Sequence, residues 1–372
     1  MEYIIFGVDH YNTLGLARSI GKSTGKRCMI ICIPSRARGL SKRSIYVRDY
    51  IEVDNLEEGY EFLLRHAKEY EGSFLFTMDD KTMSFLDERY DQWKDHYNGF
   101  NAGESGRITR YMNKYTILQL AKECGLKILD TVVLNRHDRL PDDLEYPVIT
   151  KSISPVVGGW KSDVHICHDK KSLEEAMTVI QSDEVLIQKY IEKTNEYCID
   201  GFCAKHGTVM FNGIESNYKY LIPGYYSPYL DVRNFSNPDG IQKPLEDMMR
   251  KIGFTGIYSI EFLIYNGEYY FSEINFRNST WSYASTIAGM NLPYLWMRYT
   301  LFGPSMRLST VEVPDNFTAM VEPIDYNLRV VKGDMKFTDW LKECISTDCK
   351  FYYDQDDPHP VAYMLDNLQN FM

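Results

Sequence analysis

Apolar residues near the start of the chain come in short runs separated by amphipathic stretches. Tyr3-Ile4-Ile5-Phe6 and Cys28-Met29-Ile30-Ile31-Cys32-Ile33 read as strands, with a helical pattern over residues 14–22 between them. Strand, helix, strand in that order requires a crossover connection, so the pattern predicts a parallel sheet. A strand at 50–53, a helix at 56–70 and a strand at 74–77 carry this α/β domain to about residue 107.

Beyond it the grammar changes. Asn113 can cap a helix over 114–124 and Gly125 can end it. Strands at 131–134, 148–151 and 185–189, with a helix at 172–181, predict a small α+β unit spanning about 113–191. A larger unit follows over about 192–305, and an aromatic-rich extension over 306–372 packs on it.

The densest chemistry lies in the run Tyr258-Ser259-Ile260-Glu261-Phe262-Leu263-Ile264, Tyr265-Asn266-Gly267-Glu268, Tyr269-Tyr270-Phe271-Ser272-Glu273-Ile274-Asn275-Phe276-Arg277. Two β-rich runs around Asn-Gly predict a hairpin. Side chains two apart on a strand share a face, so Glu273, Asn275 and Arg277 point one way. Register decides whether Glu261 joins them. A two-residue loop opposes Glu261 to Ser272, whereas the three-residue loop Asn266-Gly267-Glu268 opposes it to Glu273. We take the three-residue loop, with a bulge, as the expectation. Glu261, Glu273 and Asn275 then offer hard oxygens of the kind that hold Mg²⁺ on substrate phosphates.

Lys151 ends an apolar strand and precedes a loop containing Gly158 and Gly159, a combination suited to phosphate oxygens. Lys114, at the start of its helix, can add that helix's positive end. Gln188, Lys189, Tyr190 and Ile191 leave the small unit as a strand whose backbone could meet an adenine edge, and a nearby carboxylate in the following run Glu196-Tyr197-Cys198-Ile199-Asp200 could hold ribose hydroxyls. Asp9 and Asn12 stand where strand ends of open α/β sheets meet ligands, and either touch substrate or make the turn. Tyr218, Tyr220, Tyr225, Tyr226 and Tyr229 either line an acceptor pocket or pack.

Composition narrows the picture. With 52 acidic against 41 basic residues the net charge is −11, which disfavours nucleic acid as a partner. No apolar run reaches the roughly 20 residues of a membrane span, so a cytoplasmic setting is expected. The eight cysteines form no Cys-x-x-Cys pair and read as reduced thiols. A strand puts His165 and Cys167 on one face and His168 on the other, and the run lacks zinc-ligand spacing. Asp354-Gln355-Asp356-Asp357-Pro358 reads as a turn.

Together these residues resemble the ATP-grasp superfamily, in the branch of biotin carboxylase, carbamoyl phosphate synthase large subunits and D-aspartate ligase-like enzymes. The resemblance covers about 110–305, and the run Asn266-Gly267-Glu268…Phe271…Glu273-x-Asn275-x-Arg277 is its most specific motif. It implies a pre-ATP-grasp domain at 1–107 and an ATP-grasp domain at 108–305. It also implies ATP with one or two Mg²⁺ ions, for which Mn²⁺ can substitute. By similarity Lys114 and Lys151 are phosphate lysines, Glu196 the ribose glutamate, and Gln188, Lys189, Tyr190 and Ile191 the adenine hinge. Glu261, Glu273 and Asn275 match the metal ligands, and Arg277, catalytic together with Lys151, matches the arginine that steadies the transferred phosphoryl group or the acyl phosphate. Phe76-Thr77-Met78-Asp79-Asp80 resembles a loop bordering the acceptor site. The implied activity is ligation: a small-molecule or peptide carboxylate becomes an acyl phosphate and passes to an amine. The alternatives are thiol or bicarbonate chemistry, or a non-catalytic nucleotide-binding subunit. Closure of the 152–160 loop would shield the intermediate, and self-association is left open.

Overall fold

The computed structural model describes residues 1–155, 160–222 and 226–372. Gly158 and Gly159, the centre of the expected phosphate loop, lie outside the described residues, as does Tyr225.

The N-terminal sheet contains β1 (Tyr3–Val8), β2 (Cys28–Ile33), β3 (Val47–Glu52), β4 (Ser73–Thr77) and β5 (Tyr97–Gly99). They lie in the order β3-β2-β1-β4-β5, all parallel. The helices Tyr11–Thr24 and Leu56–Arg65 make the crossovers, which is why the central strands are apolar on both faces. The second helix stops short of the expected residue 70, because His66 leaves helical geometry at φ −103°, ψ 12°.

The small unit is an antiparallel sheet of β6 (Thr131–Asn135), β7 (Val148–Ser152), β8 (Ile166–Cys167) and β9 (Glu184–Lys189), in the order β6-β9-β7-β8. The helix Lys170–Val179 covers one face, burying Leu173 and Ala176 on Val148, Val185 and Ile187. Asp169 and Ser172 cap its start reciprocally.

The large sheet runs β14-β13-β10-β11-β12-β15-β16. Its strands are β10 (Asn195–Ala204), β11 (Val209–Tyr218), β12 (Tyr229–Asn234), β13 (Gly256–Tyr265), β14 (Glu268–Asn275), β15 (Thr318–Met320) and β16 (Cys349–Lys350). The last two come from the C-terminal extension, so that segment completes this sheet's edge.

Aromatic packing joins the N-terminal sheet to the rest. Trp296 meets Phe74, Phe76 and Phe100 edge-on, with centroids 5.4, 5.5 and 4.9 Å away. The C-terminal segment is tied down by Arg18. This fully buried side chain donates to Asp357 at 2.9 Å and to the carbonyls of Phe351 and Tyr352 at 3.0 Å. All eight cysteines are free. Among the described residues no helix is long and apolar enough to cross a membrane.

Candidate active site

The β13–β14 hairpin turns on two residues, not three. Tyr265 pairs with Glu268, and Asn266 and Gly267 both take positive φ, 51° and 78°. This pair of left-handed residues is what Asn-Gly favours, and its twist suits a hairpin. The three-residue loop is therefore corrected. Carried on regularly, that register would oppose Glu261 to Ser272 and turn Glu273 to the core. Instead the ladder shifts between Phe262 and Glu261: Phe262 pairs with Phe271, but Glu261 pairs with Glu273. Ser272 is the extra residue of a β-bulge. The Phe271 amide faces away from β13 and donates to the Lys127 carbonyl at 2.8 Å. The two carboxylates thus meet as expected, by a different route.

Strand pairing carries this face across the sheet. Cys198 of β10 lies opposite Glu261, and Asp200 opposite Ser259, so the alternate residues Glu196, Cys198 and Asp200 share the face of the acid pair. Lys114 reaches Glu273 at 3.3 Å from the start of the helix Lys114–Glu123, which Asn113 caps by accepting from the Thr116 amide at 2.9 Å. Gly125, at φ 94°, follows the end of that helix. Lys151 comes from β7 and donates to Gln188 Oε1 at 3.0 Å. Asn275 donates to Glu261 at 3.0 Å and accepts from Arg277 at 3.0 Å. Arg277 also grips both oxygens of Asp80, at 2.8 and 3.2 Å.

These neighbours polarise the acid pair. Burial, then the charges of Glu273 and Glu196, push the Glu261 carboxyl well above the usual carboxylate range. Glu273 is held below that range, first by the Lys114 ammonium and then by Lys151 and Arg277 against its burial. One carboxylate has a cation and its partner lacks one. Two facing carboxylates beside an amide oxygen, with negative charge to spare, form a donor set that fits a small divalent cation. Lys151 is lowered to about 8 by burial and by Lys114.

Two cavities meet at this cluster. One, of about 500 Å³, lies between the small and large sheets and includes Lys151, Gln188, Lys189, Tyr190, Ile191 and Glu196 in its wall. Leu129, Ile149 and Leu263 give it an apolar side. The Lys189 ammonium itself turns to Glu145 at 2.9 Å. The second cavity, of about 460 Å³, shares Glu196, Glu261 and Glu273 with the first and adds Asn275 and Arg277.

Other expectations fare differently. Asp9 is fully buried, accepting from Ser41, Tyr50 and the Gly39 amide, and Asn12 exchanges hydrogen bonds with Asn278. Both are spent inside the fold. Tyr218 and Tyr226 line the second cavity, whereas Tyr220 donates to Asp325 of the C-terminal extension and Tyr229 is buried. Asp80, at the end of the Phe76–Asp80 run, reaches the cluster through Arg277. Sequence reading missed Lys193, which binds Glu196, and Tyr11, Ser279 and Trp281, which face the second cavity. The polar run Asn278-Ser279-Thr280 directly after Arg277 is the one signal that marks part of this set.

No family model matches the chain. It is 34% identical over 182 residues to the D-alanine–D-alanine ligase of a Nitratiruptor species, covering 46% of this chain and 52% of that one. To a D-alanine–D-alanine ligase of Helicobacter pylori it is 30% identical over 179 residues, covering 44% and 50%. The chain thus spans about half the length of the curated relatives it matches. Among solved structures it is similar to N5-carboxyaminoimidazole synthetase from Staphylococcus aureus complexed with ADP, with TM-score 0.68 and 14% identity over 100% of this chain and 98% of that one. The L-amino acid ligase from Bacillus licheniformis superposes with TM-score 0.63 and 13% identity, covering 81% and 74%. With a parallel N-terminal sheet, a four-stranded antiparallel sheet and a seven-stranded sheet, and with superposition on these solved structures over most of its length, the chain has the ATP-grasp fold.

Proposed function

We propose that the protein is an ATP-dependent carboxylate–amine ligase. The observation that carries this reading is the facing pair Glu261–Glu273, set among Lys114, Lys151 and Arg277 where two cavities join. One cavity suits a nucleotide and the other a substrate, with the charged groups at the point of transfer.

In this reading the base of ATP rests between Leu129, Ile149 and Leu263, against the strand end formed by Gln188, Lys189, Tyr190 and Ile191. Glu196 holds the ribose, and Gly158 and Gly159 belong to the phosphate loop. Glu261, Glu273 and Asn275 would hold one or two Mg²⁺ ions, with Mn²⁺ a substitute, supplying Lewis-acid stabilisation of phosphate charge. Lys114 and Lys151 neutralise phosphate oxygens. Arg277, fixed by Asp80 and Asn275, faces the substrate cavity and steadies the carboxylate that takes the phosphoryl group. An acyl phosphate and ADP result. An amine then attacks the acyl carbon, and phosphate leaves. The roles are positioning and charge stabilisation, which is what phosphoryl transfer asks of a protein.

The relatives' names, D-alanine–D-alanine ligase and L-amino acid ligase, point to amino acids as both substrates. We place the reaction in the cytoplasm. The test is release of ADP and phosphate from Mg²⁺-ATP over pooled amino acids, with Glu273→Ala as the blank and mass spectrometry of products. Release that needs two amino acids, vanishes in the variant and accompanies a condensed mass supports ligation. Equal release by wild type and variant rejects it.

A further inference from the structure

Under the second cavity lies a group of buried polar atoms that the phosphate chemistry leaves unused. Asp200 on β10 stands opposite Ser259 on β13, and Ser259 opposite Asn275 on β14. The three form one row across the face that carries Glu261. Asp200 has no exposed surface, and neither of its carboxylate oxygens has a hydrogen-bond partner among the described residues. The same holds for Ser259 Oγ and for Ser216 Oγ, which lies on β11 beside Cys198. Folded proteins rarely leave such atoms together without a partner, and ordered water, an ion or a bound polar group can supply one. Burial pushes the Asp200 carboxyl up to about 6; the Ser279 and Ser259 hydroxyls stand near enough to lower it somewhat but outside ordinary hydrogen-bond geometry.

Ser259 and Ser279 both line the second cavity, so the patch communicates with it through these two residues. Arg277 in the same cavity attracts a negative group. A buried carboxylate attracts a positive one. The Asp200 and Asn275 backbones are two strand spacings apart, roughly 10 Å, about the span of a small zwitterion with a hydrogen bond at each end.

We propose that Asp200 is a specificity-determining residue. It supplies the counter-charge for the ammonium group of an α-amino acid whose carboxylate turns toward Arg277, and Ser259 and Ser279 form the surface that meets it. The inference rests on the ligase reading and deepens it: the activated substrate must carry a charged amine.

Equilibrium dialysis read by mass spectrometry tests this in the full chain with Mg²⁺ and a non-hydrolysable ATP analogue. The probes are a pool of D- and L-α-amino acids and a pool of the matching α-hydroxy acids. Wild type should retain at least one amino acid, and its hydroxy counterpart at least tenfold less. Asp200→Asn should abolish that preference while leaving nucleotide retention and melting temperature unchanged. Ser279→Ala, which keeps the carboxylate, should reduce the preference too and serves if Asp200→Asn does not fold. Equal retention of both pools by wild type, retention of neither, or an unchanged preference in the folded variants overturns the proposal. ADP release with ATP separates the two readings. Selective retention without release sinks the ligase reading alone, and release as fast with hydroxy acids as with amino acids sinks the role of Asp200 alone.

Discussion

Lys151 reports directly on how the charged cluster would meet a nucleotide. Its ammonium is lowered to about 8, first by burial and then by the Lys114 cation, against the opposing pull of Glu273 and Glu196. Burial disfavours the charged form, so the proton leaves as pH rises. If only protonated Lys151 holds phosphate oxygens, the apparent dissociation constant scales as one plus ten raised to pH minus pKa. From about pH 7 to about pH 9 this weakens nucleotide binding roughly tenfold, and each further unit costs about another factor of ten. On the acid side this lysine changes nothing. Lys114→Met removes the like charge and should move the midpoint upward. Lys151→Arg, charged throughout the range, should flatten the profile. Calorimetric titration of ADP with Mg²⁺ across this range is the assay. A flat wild-type profile, or the same midpoint in Lys151→Arg, would refute the reasoning.

Three further outcomes follow from the geometry. Arg277→Lys loses the fork that grips both Asp80 oxygens and Asn275, and should cut the rate of ADP release about 10²–10³-fold with nucleotide affinity nearly unchanged, measured in steady state. Arg18→Ala strands a fully buried Asp357 and should lower stability by about 3–5 kcal/mol in urea unfolding, where a loss below about 1 kcal/mol would contradict the assigned role. Gly267→Val forces a β-branched residue into φ 78° and should destabilise by about 1–2 kcal/mol, yet leave ADP affinity intact because the turn is remote from the acid pair.

Much of the site is legible in residue order because strands impose a period of two. Glu273-x-Asn275-x-Arg277 must share a face, and Lys151 must stand at a strand end, whatever the rest of the chain does. What escapes is set by tertiary register. A bulge leaves no mark in residue type, and Ser272 looks like any strand residue. Asp80 and Arg277 are 197 positions apart, so no local pattern joins them. Asp9 has the look of a loop ligand until Ser41, on the connection from β2 to β3, and Tyr50, on β3, surround it. Asp200 does carry a faint signal, a lone acid inside the apolar run Tyr197-Cys198-Ile199-Asp200-Gly201-Phe202. Its meaning emerges only once Ser259 stands opposite.

The Ser272 bulge also separates two design problems that a plain hairpin would merge. In a regular ladder with a two-residue turn, paired positions sum to one fixed odd number, so the turn dictates which side chains oppose each other everywhere. Here the pairs near the turn, Phe262 with Phe271 among them, obey one parity, and the pairs beyond, Glu261 with Glu273, obey the other. The tip of the hairpin is therefore an interchangeable part. It can be shortened, lengthened or replaced, provided equal numbers of residues change on both arms, without disturbing the carboxylates. Deleting Ser272 itself would restore a uniform ladder and still leave Glu261 facing Glu273. Inserting one residue on a single arm of the tip would throw the burden of reconciliation onto a second irregularity. Length variation in this hairpin should accordingly come in matched pairs.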